Sequence, residues 1–317
     1  MSEIVNFHHV ARAFYFEPLA LEESAMMACH MYLWPRITGK VQDSAPFVEA
    51  AEKASPTHNK YDGAFAHMRK QIAAPAMQSN GPYSPPTVLD PNYYWTIDGK
   101  PGVAVIPMNG MLSKGAGPFA EMCMGVVNPD RITMALQQAI AAKDISKIVI
   151  DGGSPGGRTT GIAETAALVK LATETRGKTV YAFTDTYIAS AAEWICSQAD
   201  EVIMTGSAGI GSIGTYLAFL NPKVAMQTQG YSLELFSQGT HKALGMPGRD
   251  LSQADRAYLQ GTVDKVNIQF TSAVKAGRPK ASEEALRDAK MYDAADAIKQ
   301  GLADGIVSSW DEFVSLI

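Results

Sequence analysis

The chain has 317 residues, 46% of them hydrophobic and 19% charged, with a formal net charge of −5 at neutral pH. That length allows two domains, or one domain with extensions, and the ordinary apolar content allows a buried core. The acidic balance, with no dense Lys/Arg run, argues against nucleic acid or an anionic membrane surface as a partner.

Residues 1–74 read as helical but loosely patterned, with Met and aromatic residues crowded between Ala13 and Trp34. Such residues at helical spacing usually pack, so a helical docking extension is expected rather than a cofactor box. From Pro75 to Pro91 the prolines come too densely for regular helix, and residues 75–98 are expected to be an extended linker. The remainder, 99–317, follows Asp98-Gly99, a hairpin-turn pair, and then alternates strand and helix. Val103–Met108 predicts a strand. Pro129–Lys143 predicts a helix with Asn128 as N-cap, and Lys147–Asp151 a short apolar strand covered on both faces. A helix over 160–175, a strand over 179–184, a helix opening near Ser190 and a strand over Glu201–Met204 follow. Later helices are expected over 252–276 and over Ala294–Gln300, the second closed by Gly301. The alternation points to an α/β fold of parallel strands with crossover helices.

Three cysteines, Cys29, Cys123 and Cys196, are far apart and form no CxxC or Cys/His cluster, which excludes a disulfide scaffold and a zinc knuckle. The N-terminus lacks the basic and apolar regions of a signal peptide, and no apolar run reaches the length of a membrane span. A cytoplasmic protein without membrane insertion is expected.

Four short segments carry chemistry. Ser154-Pro155-Gly156-Gly157 joins a buried strand to a helix, and its glycines can bring bare backbone N–H groups close to a ligand. It suits an oxyanion hole, a phosphate cradle or merely a tight turn, and matches neither GxGxxG nor a P-loop. Ser190, in Ala189-Ser190-Ala191-Ala192, is either a helix N-cap or a nucleophile with room around it and the Ala191 N–H as an oxyanion donor. Its base must come from elsewhere. Only His241 among the six histidines lies beyond the linker, and no acid in the neighbouring sequence is placed to orient it as a triad requires. Lys242, flanked by the uncharged Ala243-Leu244-Gly245, is a candidate if burial lowers its pKa, and otherwise a solvated loop lysine. Ser212, in Gly211-Ser212-Ile213-Gly214, is either a small packing residue on a bulged strand or the hydroxyl that holds the lysine amine.

Taken in order, these four segments resemble the signal peptide peptidase A (SppA) family of serine–lysine peptidases, over roughly residues 100–308. The spacings from Ser190 to Ser212 and to Lys242 are those of its single-domain members. The resemblance implies a ClpP/crotonase-like fold, with Ser190 as nucleophile, Lys242 as general base, Ser212 steadying the lysine, and Gly156 and Ala191 supplying the oxyanion-hole amides. It implies no cofactor or metal, a peptide or protein substrate, and a ring-like homo-oligomer in which a neighbour can supply the lysine. Ser-Ala-Ala at the nucleophile, where members often carry Ser-Gly-Gly or Ser-Ala-Gly, implies a narrower pocket and slower turnover. Val10–Leu21 further resembles the N-terminal segment of lambda-type phage head maturation proteases, whose substrates are scaffold and capsid proteins. Three rival readings keep the same fold: a host-type cytosolic SppA-like peptidase, a crotonase-type acyl-CoA hydratase or isomerase, and a non-catalytic procapsid protein.

Overall fold

The computed structural model describes residues 19–21, 93–116 and 125–317. Of the N-terminal extension, Leu19–Leu21 forms strand β1. The helices expected over the rest of 1–74, and the linker through residue 92, lie outside the described residues. Strands β2 (Trp95–Ile97) and β3 (Lys100–Asn109) form an antiparallel hairpin around Asp98-Gly99, with Gly99 at φ 77°. Strand β2 therefore lies inside the stretch read as linker, because a hairpin turn needs a strand on each side.

β4 (Met111–Leu112) and β5 (Val126–Val127) lead into α1 (Pro129–Ala141). Asn128 caps α1 as expected, its side chain accepting from the Asp130 N–H at 3.0 Å, and Pro129 sits in the first turn, where its missing N–H costs nothing. The βα alternation continues through β6 (Lys147–Gly153), β7 (Gly156–Arg158), α2 (Ile162–Arg176) and β8 (Thr179–Thr184). Next come β9 (Tyr187–Ala189), α3 (Ala191–Cys196), β10 (Glu201–Thr205) and β11 (Gly209–Gly211). The short α4 (Lys223–Thr228) precedes α5 (Gln253–Gly277), which opens on a Ser252–Asp255 capping box. The chain then runs through α6 (Glu283–Arg287), β12 (Met291–Asp293), α7 (Ala294–Lys299), β13 (Gly305–Val307) and α8 (Trp310–Leu316).

The main sheet has the order β13-β10-β8-β6-β3-β2 and is parallel except for β2. Both faces are covered, and the inner strands β3, β6 and β8 are accordingly mostly apolar along their middles. Ala104, Ile106, Met108, Ile148 and Ile150 face the core shared with α1, α2 and α3. Val103, Val105, Val149 and Phe183 face a smaller core closed by α8, where the Phe183 and Phe313 rings stack at 4.8 Å. A three-stranded sheet, β12-β11-β9, stands beside the main one.

Helix α5 is docked only over its second half. Phe270 stacks on Trp194 of α3 with ring centroids 5.0 Å apart and planes 6° from parallel, a contact worth about 1 kcal/mol beyond the area it buries. Arg278, just past the helix, donates to the Ser197 carbonyl at 3.2 Å and pairs with Asp304. Towards its N-terminus Tyr258 is exposed, and among helix residues before Phe270 only Asp255 is buried.

Candidate active site

The site forms where three neighbouring segments end side by side. β9 and β11 are parallel, pairing Ala189 with Gly211, so Ser190 and Ser212 each follow a paired residue at the same level. On the other side of β9, Ser154 bridges Ile188: its N–H donates to the Tyr187 carbonyl and its carbonyl accepts from the Ala189 N–H, both at 3.0 Å. The turn Pro155-Gly156 is thereby brought to the flank of Ser190.

Ser190 lies between β9 and α3 with φ 56° and ψ −120°, a backbone state that costs a non-glycine residue about 1–3 kcal/mol. Its N–H donates to the Gly211 carbonyl at 2.8 Å, which holds the strained corner in place. The side chain is 1% exposed and its Oγ makes no hydrogen bond. It does not cap α3, so the N-cap reading of this serine is set aside. What remains is a buried hydroxyl held without a partner at a sharp strand-to-helix corner, the geometry of a nucleophile elbow. The Ala191 N–H sits in the first turn of α3, where no intrahelical acceptor exists.

The other expected residues fall as follows. Gly156 has φ 90°, and its N–H donates to Ser154 Oγ at 3.2 Å, which itself donates to the Gly110 carbonyl at 2.6 Å. The Gly156 donor is therefore engaged, and an oxyanion would have to share it with that hydroxyl or take it over. Ser212 is buried, also at positive φ (55°), with its N–H on the Lys290 carbonyl at 2.8 Å. Lys242 is not brought in. It is exposed, on a succession of turns that begins with its own N–H on the Gly239 carbonyl at 3.1 Å, and it does not hydrogen-bond Ser190. The burial expected from its small, uncharged neighbours is absent within one chain, because residues 229–242 run along the surface almost entirely exposed.

His241 corrects the sequence reading. An acid does orient it: Asp255, in the first turn of α5, accepts from the imidazole Nδ1 at 2.9 Å. The partner was missed because it lies across a loop; the Ser252-x-x-Asp255 helix-start signature was the available signal.

Glu193 was also missed. It lies one turn after Ser190, fully buried, with neither carboxylate oxygen hydrogen-bonded. The only signal was a charged residue amid Ala-Ala-Glu-Trp-Ile-Cys. Burial pushes its carboxyl up to about 8, against the partial opposition of Arg278 and with a further push from Asp304. Arg278 cannot fully compensate it, since that guanidinium is spent on Asp304 and on the Ser197 and Ala199 carbonyls. Burial likewise keeps the Cys196 thiol protonated. Folded Glu193 thus retains a proton that the unfolded chain releases near pH 4.5. Stability should fall as pH rises through the window from about 4.5 to about 8, by at most about 1.4 kcal/mol per pH unit. Glu193→Gln should flatten that slope in urea midpoints measured at pH 5, 7 and 9. An unchanged slope would mean that the carboxylate is ionised against Arg278.

Residues 172–316 match the model of peptidase family S49. Over that span the chain is similar to the peptidases of family S49. Capsid assembly protease C of Escherichia phage lambda is 30% identical to it over 214 residues, 66% of this chain and 47% of that protein. Head-tail preconnector protein GP5 of Enterobacteria phage P21 is 27% identical over 215 residues, 66% of this chain and 42% of that one. A putative signal peptide peptidase SppA of Enterococcus faecium is 26% identical over 178 residues, 55% of this chain and 51% of its own length. The chain spans about half the length of these curated relatives. Among solved structures, a membrane-bound stomatin-specific protease aligns over 67% of this chain and 83% of its own, at 14% identity and a TM-score of 0.41, a likeness too distant to bear on the chemistry. The S49 match begins within α2 and takes in Ser190, Ser212 and Lys242 but not the Ser154–Gly157 turn. Among the described residues no helix is long and apolar enough to cross a membrane.

Proposed function

We propose that this chain is a serine endopeptidase of the capsid-assembly type, cleaving scaffold or other head proteins of a phage with Ser190 as nucleophile and Lys242 as general base. The observation that carries the reading is Ser190 itself, buried, unpartnered and held in a strained corner beside a glycine turn. A hydroxyl kept in that state costs stability, and attack on a carbonyl gives it a use. The Lys242 amine takes the hydroxyl proton as Oγ adds to the scissile carbonyl. The resulting oxyanion lies against the Ala191 and Gly156 N–H groups. The protonated lysine then gives its proton to the leaving amine, and water, deprotonated by the same amine, releases the acyl group. Ser212, level with Ser190 on the next strand, is suited to hold the amine.

Helix α5 supports a lysine supplied by a neighbouring copy. His241 is tied to Asp255 at the start of α5, whereas Ser190's helix packs on Phe270, ~22 Å further along the axis at 1.5 Å per residue. The same region exposes Val224, Tyr231 and Phe236, the last at 92%, an apolar surface suited to contact with a second copy.

The test is complementation. Ser190→Ala and Lys242→Ala should each be unable to cleave head proteins or casein. Mixing the two inactive proteins should restore part of the activity, because a mixed assembly contains intact Ser190 beside intact Lys242. Cleavage by Lys242→Ala alone at the wild-type rate would remove lysine from the mechanism.

A further inference from the structure

The loop that carries Lys242 is tied down at both ends by one buried carboxylate. Asp255 is fully buried, and Oδ1 accepts from His241 Nδ1 at 2.9 Å. Oδ2 accepts from Arg249 Nη2 at 2.8 Å and from the Ser252 N–H and Oγ at 3.0 and 2.7 Å. These donors hold its carboxyl well below the usual range, His241 most of all, so it is ionised and the shared proton sits on Nδ1. A buried carboxylate is tolerated only when so surrounded, and two of its donors, His241 and Arg249, bracket the loop. The imidazole also stacks on Tyr258 of α5, with centroids 4.7 Å apart and planes 18° from parallel. Arg249 donates in addition to the Ala243 carbonyl, the residue after the lysine, at 3.4 Å. Residue 241 is thus attached to the start of α5 directly and residue 243 through Arg249, and residue 242 between them projects from a fixed base. A lysine on an untethered exposed loop would sample many positions. This one starts from a single backbone geometry.

We propose that Asp255 and His241 are positioning residues for Lys242: the carboxylate, through the imidazole Nδ1–H, fixes the turn from which the lysine reaches Ser190. The proposal rests on the Ser190–Lys242 reading above, and neither residue touches the substrate or the reacting atoms. It assigns His241 a role that depends on Nδ1 alone. Asparagine, whose side-chain NH2 takes the place of that ring N–H, should therefore substitute for it, and alanine should not.

The measurement is the rate at which a fluorophosphonate labels Ser190 in full-length protein, for wild type, His241→Asn, His241→Ala and Lys242→Ala, with Tm recorded for each. His241→Ala should label about ten- to a hundredfold more slowly, the order expected when a reacting group is misplaced by about an ångström. His241→Asn should stay within a few-fold of wild type, and both should keep Tm within a few degrees because His241 is partly exposed at the surface. Equal labelling of His241→Ala and wild type overturns the proposal, as does an asparagine variant as slow as alanine, since the ring itself would then be needed. Lys242→Ala separates this failure from that of the underlying reading. If it loses labelling while His241→Ala keeps it, only the positioning role falls. If it labels normally while both His241 variants are silent, the base is His241 and both fall together.

Discussion

Ser190→Ala should lose peptidase activity by about 10⁴-fold or more, the range seen when the nucleophile of a hydrolase is deleted, and should keep or gain thermal stability. The two halves of that expectation have one origin. Ser190 Oγ is buried and hydrogen-bonds nothing, so truncating it breaks no contact and removes an unsatisfied polar atom, whose burial costs about 1–3 kcal/mol. The backbone strain at φ 56° remains with alanine, so the corner itself should be unaltered. A core serine that served packing alone would show the opposite pattern, with little change in activity. The check is intact mass of head proteins after incubation with each protein, beside Tm by calorimetry. Retained cleavage in a folded Ser190→Ala protein would falsify the nucleophile assignment.

The second large effect should come from Gly211→Ala. Gly211 has φ 141°, and a Cβ placed there would lie 2.2 Å from the Lys290 carbonyl oxygen, a backbone atom of the segment entering β12. Relief requires β11 and β12 to part, and two bonds go with them: Ser190 N–H to the Gly211 carbonyl and Ser212 N–H to the Lys290 carbonyl, both 2.8 Å. Both positive-φ serines would lose their anchor at once. A loss of about 4 kcal/mol or more is expected, which for a domain of this size lowers Tm by roughly 8–16 °C. Any folded remainder should label poorly at Ser190. Gly206→Ala is the matched control, since a Cβ there meets nothing within 4 Å and Tm should barely move. Equal Tm values for the two variants would show that the β11–β12 contact yields easily.

Local signals explain which parts of this architecture were legible in the sequence. Asn128-Pro129 opens α1 as read, because a capping side chain and a fixed φ act within three residues. The apolar run Lys147–Asp151 forms a strand buried on both faces, and Gly301, at φ 74°, follows α7 as its periodicity required. Ser190 was singled out because small residues around a serine at a helix start are visible in one dimension. What escaped depends on contacts distant in sequence. Strands of three residues, such as β9, β11 and β12, have too little pattern to read and exist only through pairing. The exposure of Lys242 follows from where α5 docks, at Phe270 and Arg278, and nothing in Gly239-Thr240-His241-Lys242 encodes that. Glu193 was passed over because a single charge in an apolar helix is usually turned to solvent, whereas here the helix is buried on every side.

Strand β1 has a consequence for traffic at the glycine turn. Leu21 pairs with Gly156, Ala20 with Gly157 and Leu19 with Arg158, in antiparallel register. The opposite edge of β7 is taken by β4, through Leu112 and Gly157. Both sides of this ribbon are thus filled by the protein's own backbone. A visiting polypeptide that sought to lie along it as one more rung would first have to evict residues 19–21, so admission there is a contest between guest and resident.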